Sequence, residues 1–326
     1  MYISPLFEYE YWYAHKRNAD KIFILSAKYG LLEETDEIDP YNETLNKKSP
    51  NERKQWAKAI LASLSQKADL QNDEFIFLAG EKYWKDLIDG IRHYEIPPKK
   101  PIGELLNFYK KEYCTELCQQ LHSLLREGKR FDFKMGYDAR PDNGIYIMFE
   151  KGELAHDGER IVRIGTHTGD KELRSRIYQH FENENKNRSI FRKNIGRCFL
   201  NKEQNPYLST WELDTTPKKN KELFSHLIDK TLEAELENEI SKLMQERLTF
   251  CLLEVPSNKD RLHYEARLIG TVSGCTNCGP SNNWLGQFSP KDKIKKSGLW
   301  QENHLNSRPL SNEEFAFISN ALICHS

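Results

Sequence analysis

The clearest periodicity in the chain lies at Asn143-Gly144-Ile145-Tyr146-Ile147-Met148-Phe149, where Ile145, Ile147 and Phe149 alternate with Tyr146 and Met148. A period of two predicts a β-strand. The polar, Gly-containing Glu150-Lys151-Gly152 then reads as a hairpin turn, and residues 160 to 164, rich in β-branched side chains, read as the returning strand, closed by Gly165-Thr166. Leu173, Ile177 and Phe181 follow at a spacing of four, and so do Arg176 and His180. That spacing predicts a helix on which Arg176 and His180 share a face. Residues 143 to 200 therefore open as strand, turn, strand, helix.

Two continuous apolar runs stand nearer the N-terminus: Ile22-Phe23-Ile24-Leu25-Ser26, ended by Ala27-Lys28-Tyr29-Gly30, and Phe75-Ile76-Phe77-Leu78-Ala79-Gly80. Both read as buried central strands. Trp56, Ile60 and Leu64 predict a helix between them, and Tyr83, Leu87 and Ile91 another after the second. Strand, helix, strand, helix predicts a small α/β layer with a parallel sheet. Ligands of such sheets gather at the C-terminal ends of the strands, which singles out Ser26, Lys28, Tyr29, Gly80 and Tyr83, with Tyr41 in the loop Asp39-Pro40-Tyr41-Asn42. Leu117, Leu121 and Leu124 predict a connecting helix over residues 112 to 129 with a stop at Gly128. Two domains are expected, residues 1 to 111 and 112 to 326. Further on, Ile228, Leu232, Leu236, Ile240 and Leu243 mark a long acidic amphipathic helix leading into a strand at 249 to 253. It reads as an insertion that packs against the core or a partner.

Composition adds limits. A chain of 326 residues with 38% hydrophobic residues and a net charge of −1 is expected to fold into globular domains rather than stay disordered. No segment has the apolar length of a membrane span. Aromatic and acidic residues stand where a basic, apolar export signal would be, so the cytoplasm is the expected compartment. Seven scattered cysteines argue for reduced thiols. Cys275-Thr276-Asn277-Cys278 is the one CxxC. Zinc would need two further ligands, and no second CxxC or paired His motif supplies them, so these read as loop cysteines. Cys114 and Cys118, four apart, read as small buried apolar residues.

Gly144-Ile145-Tyr146, a Gly-terminated second strand and a helical Arg resemble the GIY-YIG endonuclease superfamily. Its second motif is usually Tyr-Ile-Gly; here it is Arg163-Ile164-Gly165. A narrower resemblance is to bacterial GIY-YIG proteins with Gly-Thr-His after the second strand and a later Arg-Ser-Ile-Phe-Arg, matched by Gly165-Thr166-His167 and Arg188-Ser189-Ile190-Phe191-Arg192. The superfamily also carries a metal-binding Glu on a later helix and an Asn beyond it, positions that Glu265 and Asn283 fit. The resemblance implies an α/β nuclease domain with a helical insertion, acting on DNA with Mg²⁺ or Mn²⁺. Tyr146 would accept a proton from the attacking water, Glu265 would hold the metal, Arg176 would stabilise the transition state and His180 would assist.

Residues 171 to 200 hold eight Lys or Arg against three Glu, and Lys291, Lys293, Lys295 and Lys296 form a second basic cluster near Trp284 and Trp300 in sequence. Basic stripes track phosphates. Arg163, His167, Arg174, Arg188, Arg192 and Lys193 are the expected nucleic-acid contacts.

In the first domain, Ser26-Ala27-Lys28-Tyr29-Gly30-Leu31-Leu32, Pro40-Tyr41 and Leu78-Ala79-Gly80 with Tyr83 resemble a bacterial domain family of unknown function, similar in fold to uracil-DNA-glycosylase-like domains. That family starts with one more strand bearing a Cys-Ser pair, absent here, which favours a binding module over a second enzyme. The fold class expected overall is α/β plus α+β. Two functions follow: an endonuclease of restriction or phage defence whose first domain selects modified or partner-delivered DNA, or a catalytically silent nucleic-acid-binding or assembly protein. A second copy of the chain and a defence-system protein both stay open as partners.

Overall fold

The computed structural model describes residues 4–132 and 141–323. The chain forms two compact units, Met1–Tyr113 and Cys114–Ser326. Among the described residues no helix is long and apolar enough to cross a membrane.

The first unit starts with α1 (Pro5–Lys16), capped by Ser4, whose hydroxyl accepts from the Phe7 N–H. Next come β1 (Phe23–Ser26), β2 (Gly30–Glu33), α2 (Pro50–Leu64), β3 (Glu74–Ile76), α3 (Glu81–Trp84) and β4 (His93–Glu95). The expected parallel pairing of the two apolar runs is corrected here. β1 turns back at once through Gly30 (φ 83°) to pair antiparallel with β2, whereas β3 pairs in parallel with β4. Left-handed backbone at Gly30 costs little without a Cβ, so Lys28-Tyr29-Gly30 closes a hairpin in place of leading to a crossover. The two runs still share one core, in which Ile60, Leu64, Phe77, Trp84, Leu87 and Ile91 are buried. The helix expected over 83 to 91 is only one α-turn plus a 3₁₀ turn at Ile88–Gly90.

The division between the units falls inside α4 (Ile102–Glu127). The second unit is built on a four-stranded antiparallel sheet of β5 (Phe131–Asp132), β6 (Gly144–Ala155), β7 (Gly158–Gly165) and β8 (Leu248–Glu254), in the order β5-β8-β6-β7. Tyr146 faces Gly165 on β7 and Leu252 on β8. The hairpin turn expected at Glu150-Lys151-Gly152 is also corrected: Gly152 (φ 89°) lies in a bulged stretch, and β6 runs on to Ala155. The true turn is His156-Asp157, both at positive φ. Local turn residues made a bulge because inward partners hold the strand in place. Glu150 accepts from the indoles of Trp284 and Trp300, and Glu153 pairs with Arg160 in the interior.

Helices α5 (Leu173–Phe181), α6 (Ile190–Lys202), α7 (Leu208–Trp211), α8 (Lys218–Phe224), α9 (Lys230–Arg247), α10 (Asn258–Gly274), α11 (Asp292–Ser297) and α12 (Asn312–Ala321) complete the unit. The acidic helix α9 is no appendage. Its Leu236, Ile240 and Met244 join the main core, while Glu237 bonds Arg192 Nε at 2.7 Å and Glu233 bonds Lys186 Nζ at 2.5 Å. Arg192 is fully buried and spends its remaining donors on the carbonyls of His180 and Glu237 and on Ser241. Removing one partner of such a pair strands the other charge, at a cost of about 3–5 kcal/mol. Trp284 and Trp300 are buried too, so neither is a stacking platform beside the lysines of α11.

Candidate active site

Tyr146 sits on the central strand, and the strand pairing sets what lies beneath its ring. A Cβ at Gly165 would lie 2.2 Å from the Tyr146 hydroxyl and 2.4 Å from Cζ, both parts of a rigid ring. Only glycine lets the tyrosine lie across β7 at this point. Its hydroxyl is then 2.8 Å from His180 Nε2 on α5, and His180 Nδ1 is 2.7 Å from Ser189 Oγ. Ser189 is the N-cap of α6, where the same oxygen accepts from the Arg192 N–H. A helix cap thus orients the histidine that meets the tyrosine.

Tyr146 and His180 are 1% and 0% exposed. Burial, followed by the charges of Arg163, Arg176 and Arg192, holds the His180 pKa well below its ordinary 6.5. The imidazole is neutral at pH 7, with one nitrogen as donor and one as acceptor.

Arg163 lies two residues before Gly165 and opposite Met148, on the sheet face that bears Tyr146. It therefore occupies the place of the missing second tyrosine. The buried guanidinium donates to the Trp300 carbonyl (2.7 Å) and lies over Phe191, while its Nε has no partner among the described residues. Arg176 on α5 is half-buried and donates to Gln179 and to the Arg188 carbonyl.

Glu265 projects from α10, half-buried, and accepts from the Thr166 N–H next to Gly165. Burial raises its pKa, partly offset by Arg163, His304, that hydrogen bond and Arg176. Arg163 and Arg176 thus act on His180 and Glu265 alike. The Glu265 carboxylate offers one oxygen ligand to a hard divalent cation, and the two guanidiniums beside it would oppose that ion unless a phosphate brought negative charge and further oxygen ligands to the site.

The other expected contacts divide by burial. Arg174 and Arg188 are exposed. His167 is buried between two backbone groups: Nε2 accepts from the Gly144 N–H at 3.3 Å and Nδ1 donates to the Gly169 carbonyl at 2.9 Å. Burial, then Arg261, lowers its pKa. Arg192 is buried, and Lys193 is half-buried and donates to the Glu212 carbonyl at 2.7 Å, so the stripe that a count of charges offers is partly engaged within the fold. Asn283 is exposed in a turn whose neighbours Ser281 and Trp284 bond Glu153 and Glu150, toward the hairpin tip of β6 and away from Tyr146. Residues that the motifs did not mark are Ser189 in its orienting role and the segment Trp300 to His304. There the Trp300 N–H donates to the Val162 carbonyl at 2.8 Å and Gln301 Oε1 accepts from the Ile164 N–H at 3.1 Å, two contacts that cover the outer edge of β7.

A stability consequence follows from the histidines. His180 and His167 have lowered pKa values in the folded chain, so below their ordinary 6.5 the unfolded chain binds protons that the folded one refuses. Their contribution is present above that pH and is lost as pH falls, by about 1.4 kcal/mol per pH unit for each proton. Carboxylates whose pKa burial raises, Glu10 to about 8 and also Glu150, Glu237 and Glu265, act in the opposite sense. The test is therefore a comparison: on going from pH 7 to pH 5 the urea midpoint of His180→Gln is expected to fall less, or rise more, than that of the wild type.

Residues 1–111 match a family of unknown function (DUF6884). No curated protein and no solved structure matches the chain, and the likeness to uracil-DNA-glycosylase-like folds expected of the first unit finds no support among these comparisons. Residues 108–319, which contain the whole Tyr146, His180, Arg163, Arg176 and Glu265 constellation, match the GIY-YIG domain. The chain belongs to the GIY-YIG family, a family of nucleases that act on DNA.

Proposed function

We propose that the protein is a metal-dependent DNA endonuclease that hydrolyses phosphodiester bonds, with Tyr146 as the group that takes the proton of the attacking water. The hydrogen bond between the Tyr146 hydroxyl and neutral His180, laid over Gly165, carries this reading. In the tautomer that serves this chemistry, His180 Nδ1–H donates to Ser189 and Nε2 takes the phenol proton as the tyrosine oxygen takes one from water. The resulting imidazolium is disfavoured by burial in the free chain, a cost that the negative charge of the bound phosphate would offset. Ser189 has the acceptor capacity for this besides its bond from the Arg192 N–H. Arg176 and Arg163 bring positive charge to the place where the pentavalent phosphate gains negative charge. Glu265 would hold Mg²⁺ or Mn²⁺, which when bound draws charge from a nonbridging oxygen. The test is nicking of supercoiled plasmid by the full chain with either metal and with EDTA. DNA binding without metal-dependent nicking would favour the catalytically silent reading.

The first unit reads as the part that selects the target, which suits restriction or phage defence. Its nominated residues meet around an aromatic group. Ser26 Oγ bonds the Tyr41 hydroxyl at 2.7 Å, Tyr29 stands edge-on to Tyr41, and Lys28 lies over Tyr29. Trp56 donates to the Ser26 carbonyl and stands edge-on to Tyr83. Aromatic faces beside a lysine suit a base and its phosphate. Lys28→Ala and Tyr41→Ala are expected to change the ratio of cleavage between unmodified plasmid and heavily modified phage DNA more than the rate on the better substrate. An unchanged ratio would leave this unit a scaffold or docking module.

A further inference from the structure

The cysteines that read as unconnected in sequence meet in space. Cys118 on α4 lies with its Sγ 3.4 Å from Cys278 Sγ, and the ligand atoms of Cys118, His122, His156 and Cys278 all fall within 4.8 Å of one another. Cys275 joins them through a 3.2 Å contact from its Sγ to His156 Nε2. These separations are near those of a tetrahedron about one ion, since a metal–sulfur distance of about 2.3 Å puts ligands roughly 3.8 Å apart.

Three separate segments are shaped to bring these atoms together. Gly274 ends α10 where a Cβ would lie 2.6 Å from Cys114 Sγ, so the helix end lies flush on α4, one turn from Cys118. Thr276 N–H then bonds Thr115 Oγ1 at 3.0 Å, which fixes the CxxC turn to the same helix. Inside that turn the Asn277 N–H donates to Cys275 Sγ at 3.3 Å, a contact that steadies a thiolate ligand. The third segment is the β6–β7 hairpin tip. A two-residue turn with both residues at positive φ favours Asn, Asp or Gly, yet its first residue is His156 (φ 49°). His122 is occupied otherwise: one ring nitrogen is 2.9 Å from the Cys118 carbonyl and the other accepts from the Ile161 N–H at 3.4 Å.

We propose that Cys118, His156, Cys275 and Cys278 bind a zinc ion, with His122 packed beside it as a support. Three thiolates and an imidazole suit zinc over magnesium or manganese, which prefer oxygen. Four protein ligands leave no open position, so the role is structural. The ion would brace the end of the sheet away from Tyr146: His156 is ten residues from Tyr146 along the hairpin, and Cys275 is ten residues from Glu265 along and just past α10.

The test is zinc content of the full chain, purified and dialysed against EDTA, with absorption spectra after exchange with Co²⁺. About one zinc per chain is expected, with thiolate-to-cobalt charge transfer and the visible bands of a tetrahedral site. Cys118→Ser, Cys275→Ser, Cys278→Ser and His156→Ala should each lose most of the zinc, while Cys198→Ser and Glu265→Ala should keep it. Should a ligand variant fail to fold, a mercurial titration of the wild-type chain still decides, because zinc should leave as three thiols react. A metal-free chain, a Cys118–Cys278 disulfide in place of zinc, or full zinc in the His156 variant would each overturn the proposal. Since the readout is metal content, a chain that cuts no DNA can still pass it, and a chain that cuts can fail it.

Discussion

Glu265→Ala is expected to abolish metal-dependent plasmid nicking, by about a thousandfold or more, while the chain stays folded and still binds DNA. A hard cation at a phosphate needs an oxygen ligand, and an ion there supplies several kcal/mol of charge stabilisation, each 1.4 kcal/mol or so being a factor of ten. Glu265 is half-buried on α10 and accepts from the Thr166 N–H. Alanine therefore gives up one hydrogen bond, worth about 1 kcal/mol net, and little packing. Glu265→Gln keeps an acceptor for Thr166 and removes the charge, so it should cut as poorly as the alanine variant with a smaller change in thermal midpoint. Rates are to be measured over a Mg²⁺ and Mn²⁺ series. Undiminished cleavage by either variant would remove Glu265 from the site.

Tyr146→Phe should lose at least about a hundredfold in cleavage rate and keep its DNA affinity, because it deletes the proton-accepting oxygen and retains the ring. The ring is what fills the space over Gly165. Deleting the hydroxyl also leaves His180 Nε2 buried without its 2.8 Å partner, a loss of about 1–3 kcal/mol in stability. Single-turnover cleavage with enzyme in excess, at a temperature well below the variant's thermal midpoint, separates the two effects. Binding and rate that fall together would make Tyr146 a structural tyrosine.

Much of this site is legible along the chain because its spacing is local. Period two places Tyr146 on a strand face, and period four places His180 one turn from Arg176. The same local reasoning fails where a distant partner overrules it. Glu150-Lys151-Gly152 has the residues of a turn, yet Glu150 is held by Trp284 and Trp300, more than 130 residues away, and the strand continues. Residues 22 to 26 and 75 to 80 look alike as apolar runs, but pairing depends on which neighbour reaches each strand first, and Gly30 returns β1 on itself. α1 had a Ser-Pro start signal of its own, with Ser4 as the cap and Pro5 in the first turn, but its mixed aromatic and polar residues show little periodicity.

The sequence by itself determined the strand–strand–helix order and the glycine that ends the second strand, since each depends on backbone period or on one residue's conformational freedom; the roles expected of the site residues came with the family resemblance. Only the tertiary structure decided which charges face outward and which thiols meet. Arg192 and Glu237 are 45 residues apart and Cys118 and Cys278 are 160 apart, separations at which no periodicity connects two positions. Packing α9 beside α6 drew Lys186 and Arg192 of the basic stripe into ion pairs with Glu233 and Glu237, and packing the end of α10 on α4 turned scattered cysteines into one cluster. In each case the deciding quantity is the position of a partner brought by the fold, which a local pattern does not contain.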